Sequence, residues 1–150
     1  MYTIALLERG PGLSRFLAAH LPSDLGAALR RGAVGGRADL TVVSPDLVQV
    51  PASSLPCRVL LLPGSLAHLA QAIPAAWVVS YGLSSRDTLT LSSLASPCLT
   101  LQRELVTLSG DCLEPQEFPL PHRPQGSPLH LLAWAGVQLL LGTRGTEIGG

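Results

Sequence analysis

A chain of 150 residues suffices for one domain, and folding at this size buries about two thirds of the unfolded surface. The apolar fraction, 47%, fits a packed interior and argues against disorder. Ten arginines balance ten acids with no basic stripe, and no apolar run reaches the ~18 residues that span a bilayer, so neither nucleic acid nor membrane is an expected partner.

Residues 2–8, YTIALLE, read as a first strand. No basic region precedes this apolar stretch, so it is not read as a secretory leader, and the cytoplasm is the default location. The loop Arg9-Gly10-Pro11-Gly12 leads into a helix over about Leu13 to Leu21, with Leu13, Phe16, Leu17 and Leu21 on one face. A strand, a Gly-containing loop and a helix is how a phosphate-binding turn begins, but only Gly10 and Gly12 fit that pattern and Arg15 stands where a third Gly would. Pro22 ends the helix, and Ser23 is placed to cap a second one over Asp24 to Arg31. A second strand follows over Ala38 to Ser44, and a Pro-bounded connection carries the chain to Cys57.

The stretch from Cys57 to Gly82 organises the rest. An apolar run, Val59 to Leu62, ends in Pro63-Gly64-Ser65, and a second, Ala76 to Val79, ends in Ser80-Tyr81-Gly82. Between them Leu66, Leu69, Ala70 and Ile73 share a helical face, with Ser65 as the N-cap and Pro74 as the stop, so a parallel βαβ unit is expected. Amides at Gly64, Ser65 and Leu66 would then face an anion at the helix N-terminus. Beyond Gly82 the pattern alternates. Thr88 to Leu91, Cys98 to Gln102, Leu105 to Leu108 and Cys112 to Phe118 read as half-buried antiparallel strands, the last two joined by a turn at Ser109-Gly110-Asp111. Ser127 caps and Pro128 opens a final, nearly all-apolar helix that Gly142 closes, with Gly136 allowing a close approach to the sheet.

These elements predict an α/β fold of Rossmann-like or flavodoxin-like three-layer type. It would have about four parallel strands, an antiparallel β-meander and a buried C-terminal helix. Residues 1–142 form a single domain, with the parallel part in 1–82 and the meander and helix in 83–142; residues 143–150 are a tail.

Ligands of open α/β sheets bind beyond the carboxyl ends of the strands. The polar groups there are Ser80, Tyr81, Ser84, Ser85, Arg86 and Asp87, facing Gly64-Ser65 and Gly10 to Gly12. Two acid–base or nucleophilic groupings are conceivable: Ser65 at a strand-to-helix turn, and Arg103, Glu104 and Glu117 across the hairpin. Leu-Pro-Gly-Ser-Leu lacks the GxSxG form, and cross-strand ion pairing accounts for the charged group equally well. His20, His68, His122 and His130 have no partner that spacing assigns. Cys57, Cys98 and Cys112 each border an apolar strand, with no CxxC and no His at ligand spacing, so buried free thiols and no metal are expected. The chain has neither Lys nor Asn, which removes Schiff-base and P-loop chemistry.

From Ala76 onward the order of elements resembles the later part of the central, ATP-binding domain of the Mur ligases. That family has a strand ending in a Thr-Phe-Gly-like motif, then small strands. A helix follows that begins His-Asn-x-x-Asn and passes through Ala-Ala to a Leu-Leu-Gly-like end. Here the strand ends Val79-Ser80-Tyr81-Gly82, small strands run from Thr88 to Leu120, and the helix reads GSPLHLLAWAGVQLLLG over Gly126 to Gly142. The resemblance covers residues 76–142, under half the chain. It implies that His130 holds the place of the second Asn, which looks towards adenine, and Ser127 that of the first. The departures matter as much. There is no GxxxxGK[ST] and no Lys to be carbamylated, which implies a shortened form without the ligase machinery.

The expected function is therefore a non-catalytic, Mur-ligase-like binding or interaction module without a cofactor. Its partner is a second copy of itself or a small anionic ligand. The alternatives are a small-ligand binder for a nucleotide or other anion, and a small hydrolase or transferase. The candidate ligand-binding residues are Gly64, Ser65, Ser80, Tyr81, Gly82, Ser84 and His130.

Overall fold

Apolar runs bounded by Gly and Pro build one eight-stranded sheet. The computed structural model describes residues 2–32, 37–50, 56–93, 95 and 97–143. The strands are β1 (Ile4–Leu7), β2 (Leu29–Arg31), β3 (Ala38–Val43), β4 (Cys57–Pro63), β5 (Ala75–Tyr81), β6 (Leu89–Leu91), β7 (Cys98–Leu101), β8 (Leu105–Val106), β9 (Cys112–Leu113) and β10 (Gln116–Pro119). The helices are α1 (Gly12–His20), α2 (Ser23–Ala28) and α3 (Pro128–Leu140), and a 3-10 segment, Gly64–Ala72, joins β4 to β5. The fold is mixed α/β. The sheet order is β10-β7-β6-β5-β4-β3-β1-β2, parallel from β2 through β6 and antiparallel at β7 and β10, while β8 and β9 form a separate hairpin.

The central strands are apolar without alternation because both faces are covered. Ile4, Leu6, Leu40, Val42, Val59 and Leu61 belong to a core shared with Leu13 and Leu17 of α1 and with α3. Ala5, Leu7, Val43, Leu60 and Leu62 belong to a second core with Leu47 and Ile73. The final helix forms as its sequence dictates. Ser127 Oγ accepts from the His130 amide at 3.2 Å, Pro128 stands in the first turn, and Gly142 turns out of the helix with φ +98°. Trp134 Nε1 donates to the His20 carbonyl at 3.0 Å and ties this helix to the end of α1.

Several expectations are corrected. The second helix stops at Ala28, and Leu29–Arg31 pairs in parallel with β1, where Arg31 Nε reaches the buried Glu8 carboxylate at 2.8 Å. Parallel pairing thus extends over six strands rather than about four, because β2 joins one side and β6 pairs with β5 at Tyr81↔Leu89. The expected antiparallel character of Thr88 to Leu91 holds only towards β7. The meander is continuous with the main sheet, and Pro115 splits the last expected strand into β9 and β10. The expected helix after β4 is a 3-10 segment kinked at Leu66, with Pro63 rather than Ser65 at its cap. Cys57 is buried, Cys98 half-buried and Cys112 exposed, so burial fails for the last. The expected tail beyond Thr143 lies outside the described residues.

Gly136 faces the sheet so closely that a Cβ would lie 3.1 Å from Leu89 Cδ1 and 3.2 Å from Leu61 Cδ2. Gly136→Val should therefore overpack this contact and cost about 1–3 kcal/mol; urea denaturation showing an unchanged midpoint would refute the close approach. Arg31→Ala should cost about 1–3 kcal/mol, since it strips the buried Glu8 carboxylate of a charged donor, and the same denaturation measurement checks it.

Candidate functional site

The carboxyl edge of the parallel strands is where the chain gathers its polar groups. Gly64-Ser65 follows Pro63 at the end of β4, Gly82 follows Tyr81 at the end of β5, and the 83–88 loop turns back before β6. Together with Leu129 of α3 they line a cleft of about 510 Å³. Five of the seven candidate residues meet there: Gly64, Ser65, Tyr81, Gly82 and Ser84.

Asp87 forms part of this lining and is only 4% exposed. Its Oδ2 accepts from the Ser84 amide at 3.1 Å, and its own amide donates to the Ser84 carbonyl at 3.1 Å. The carboxylate lies between two glycines. A Cβ on Gly64 would overlap Oδ1, and one on Gly82 would overlap Oδ2. These two glycines, each ending a strand, are required by the acid that folds back between them. The loop is held from β7 as well. Gln102 Nε2 donates to the carbonyls of Ser84 (3.1 Å) and Asp87 (2.7 Å), and the Arg103 guanidinium donates to the Arg86 carbonyl. Ser80 is beneath the loop, its Oγ accepting from the Thr88 amide at 3.0 Å. It supports the site without lining it.

Tyr81 spans the strand ends. Its hydroxyl donates to the Val43 carbonyl at 2.6 Å, across the end of β4. Burial pushes the phenol well above its ordinary range, and the Asp46 carboxylate adds to the shift, so it is a neutral donor. Asp46 itself accepts from the amides of Gly10 (2.9 Å) and Arg9 (3.2 Å). Burial raises its carboxyl, but the Gly10 amide, the Ser44 side chain and the Arg9 amide outweigh that, and the net shift is downward. Glu8 similarly takes the Ser14 amide at 3.1 Å near the start of α1. Carboxylates of the chain thus occupy the Arg9, Gly10 and Ser14 amides, which a phosphate at this loop would otherwise use.

His130 is not brought into the cleft. Its ring lies against Gly12, 3.7 Å from where a Cβ would stand, and 5.5 Å from the Phe16 ring centroid. Its neighbour Leu129 supplies the wall instead. Ser65 is exposed and caps nothing, and the kink at Leu66 removes the regular helix N-terminus expected there. The Arg103, Glu104 and Glu117 group is not assembled. Glu117, on β10, pairs with Thr100 of β7, Arg103 is spent on the Arg86 carbonyl, and Glu104 hydrogen-bonds the Cys112 thiol, which pushes that thiol up. Among the described residues no cluster of three His, Cys, Asp or Glu is placed to hold a metal ion. The sequence did not point to Pro63, Leu83 and Leu129 as walls, nor to the seating of Asp87. The one available signal was that Gly64 and Gly82 both follow apolar strands.

Gly64→Ala should destabilise by about 1–3 kcal/mol through its clash with Asp87. Adding Asp87→Ala should recover part of that cost, and strict additivity in thermal denaturation would show that the two do not touch. The lowered Asp46 carboxyl stabilises the fold above its unfolded value and loses this contribution as pH falls through the folded one. Asp46→Asn should accordingly flatten the acid limb of stability against pH below the ordinary carboxylate range; an unchanged limb would refute the role. Comparison with known proteins returned no match to any family model, curated protein or solved structure.

Proposed function

We propose that this chain is a non-catalytic small-molecule-binding module of the α/β class, with the cleft beyond β4 and β5 as its seat. One observation carries the reading: two strand ends and the first turn of α3, distant in sequence, meet around a single opening of about 510 Å³. Binding is favoured over turnover because the polar groups nearby already serve the scaffold. Tyr81 holds Val43, the Ser84 hydroxyl accepts from the Arg86 amide, and the Ser80 hydroxyl accepts from Thr88.

The strand order β2-β1-β3-β4-β5 supports a flavodoxin-like, doubly wound layering, with α1 and α3 on one face and the 3-10 segment on the other. The succession of β5, short strands and a Ser127-capped helix supports descent from a Mur-ligase-like central domain that has lost its P-loop. Three free thiols fit a reducing, cytoplasmic compartment, and no helix among the described residues is long and apolar enough to cross a membrane.

Screening nucleotides, amino acids, organic acids and amines by ligand-observed NMR tests the reading. At least one class should bind with a Kd below about 1 mM, and Leu83→Trp, at an exposed wall position, should block it without moving the melting temperature. No binder in any class, or binding indifferent to Leu83→Trp, would overturn it.

A second reading, self-association, rests on β5 rather than on α3, whose apolar surface is spent internally. Trp77 and Val78 are 53% and 51% exposed, and β6 pairs with β5 only at Tyr81. The open edge of β5 would then pair with that of a second copy. Sedimentation should show a dimer that Trp77→Glu dissociates; a wild-type monomer at high concentration would end this reading.

A further inference from the structure

We propose that the cleft takes its ligand through an ammonium group, seated on Oδ1 of Asp87. The inference rests on the reading of the cleft as a binding seat and adds the chemistry it selects. Asp87 is 4% exposed, and Oδ2 has the Ser84 amide, but Oδ1 makes no hydrogen bond among the described residues. Neither of the ion pairs among those residues includes it. The one fully enclosed polar side-chain atom without a partner among the described residues is Thr100 Oγ1, so Oδ1, unbonded in the wall of the cleft, keeps access to solvent there, whereas acids this little exposed are ordinarily paired. The fold has nevertheless reserved the position, because Gly64 and Gly82 both forgo a Cβ to admit this side chain.

The surroundings narrow the donor. A hard metal cation would need several oxygens. The neighbouring carbonyls of Ser84 and Asp87 are already taken by Gln102, and no cluster of three His, Cys, Asp or Glu lies among the described residues, so Oδ1 is the one unpaired anionic acceptor in the lining. One acceptor beside apolar Pro63, Leu83 and Leu129 suits one N–H donor carried on an apolar body. Arg86, exposed at the rim, disfavours ligands of high positive charge. A small primary amine meets all of these conditions, and its charge-assisted hydrogen bond to the acid supplies selectivity.

The test compares isoamylamine and phenethylamine with isoamyl alcohol and 2-phenylethanol, which match them in shape but carry no charge. Titrations follow the Ser84 and Asp87 amides of the 15N-labelled protein. The amines should bind at least about tenfold more tightly than the alcohols. Asp87→Asn should remove that advantage, bringing the amine-to-alcohol affinity ratio to about one. Because Asp87→Asn also disturbs the packing at Gly64 and Gly82, the amine-to-alcohol ratio in the wild type decides on its own. Equal affinities, both blocked by Leu83→Trp, would overturn the ammonium seat and leave the cleft a binding site. So would a screen in which other classes fill the cleft and amines do not. A cleft that binds nothing would overturn both readings.

Discussion

A helix with no polar side has to be covered on every side, and α3 imposes that demand on the rest of the molecule. Ten successive residues, Leu131 to Leu140, are buried. The parallel sheet covers one flank and α1 another, but neither can wrap the remainder. The second half of the chain supplies it. Leu99, Leu101, Leu105, Leu108, Leu113, Phe118 and Leu120 all join the core that contains α3. The β8–β9 hairpin also serves the end of the helix, since the Leu108 amide donates to the Leu140 carbonyl at 2.9 Å. The antiparallel extension is therefore a jacket for one helix, and by fixing α3 it fixes Leu129 at the cleft.

The same sheet accounts for the off-centre position of the proposed ligand seat. Strand order reverses between β1 and β3, and in open α/β sheets the crevice at such a reversal is the usual binding place. Here Asp46 fills that place, taking the amides of Arg9 and Gly10, and Glu8 takes the amide of Ser14. Carboxylates supplied from within take these three amides and place negative charge where a phosphate would sit. The opening lies instead beyond β4 and β5, where the acid between the glycines has only one oxygen satisfied. The two acids differ in what they leave over, since Asp46 is provided for by backbone amides and Asp87 only in part.

Much of this was legible in the sequence, and the failures have physical causes. The runs at Ile4–Leu7, Cys57–Pro63 and Pro128–Leu140 were plain because apolar length and flanking Gly and Pro agree. Leu29-Arg30-Arg31 was not, because nothing local marks it as a strand; its pairing with β1 and the Arg31–Glu8 contact are tertiary. Residues 64–72 carry a helical spacing of apolar side chains, but none of them is buried, so little packing supports a regular helix there. For the candidate site, strand ends pointed to the neighbourhood in which Gly64, Ser65, Tyr81, Gly82 and Ser84 line one cleft. His130 lies outside this cleft because the motif position that nominated it says nothing of rotation about the helix, and the ring is beside Gly12 and Phe16. The seating of Asp87 depends on a close approach to Gly64, far along the chain, which no periodicity encodes.

The two faces of the sheet are unequally covered, and the cleft inherits the inequality. On one face α1 and α3 bury their contacts fully, and Tyr81 and Leu129 stand on that side. On the other, the 3-10 segment has no buried residue of its own and is held only by partly buried Leu66, Leu69 and Ala70 over the second core. Few buried contacts mean a low free energy of local opening. Gly64 and Ser65 belong to that weakly held segment, whereas Asp87 is pinned by Gln102 and Ser84. The site thus combines a rigid anchor with a compliant wall. On the proposed reading, the anchor sets the chemical preference of the cleft, and how far the 3-10 segment yields sets the size of what it accepts.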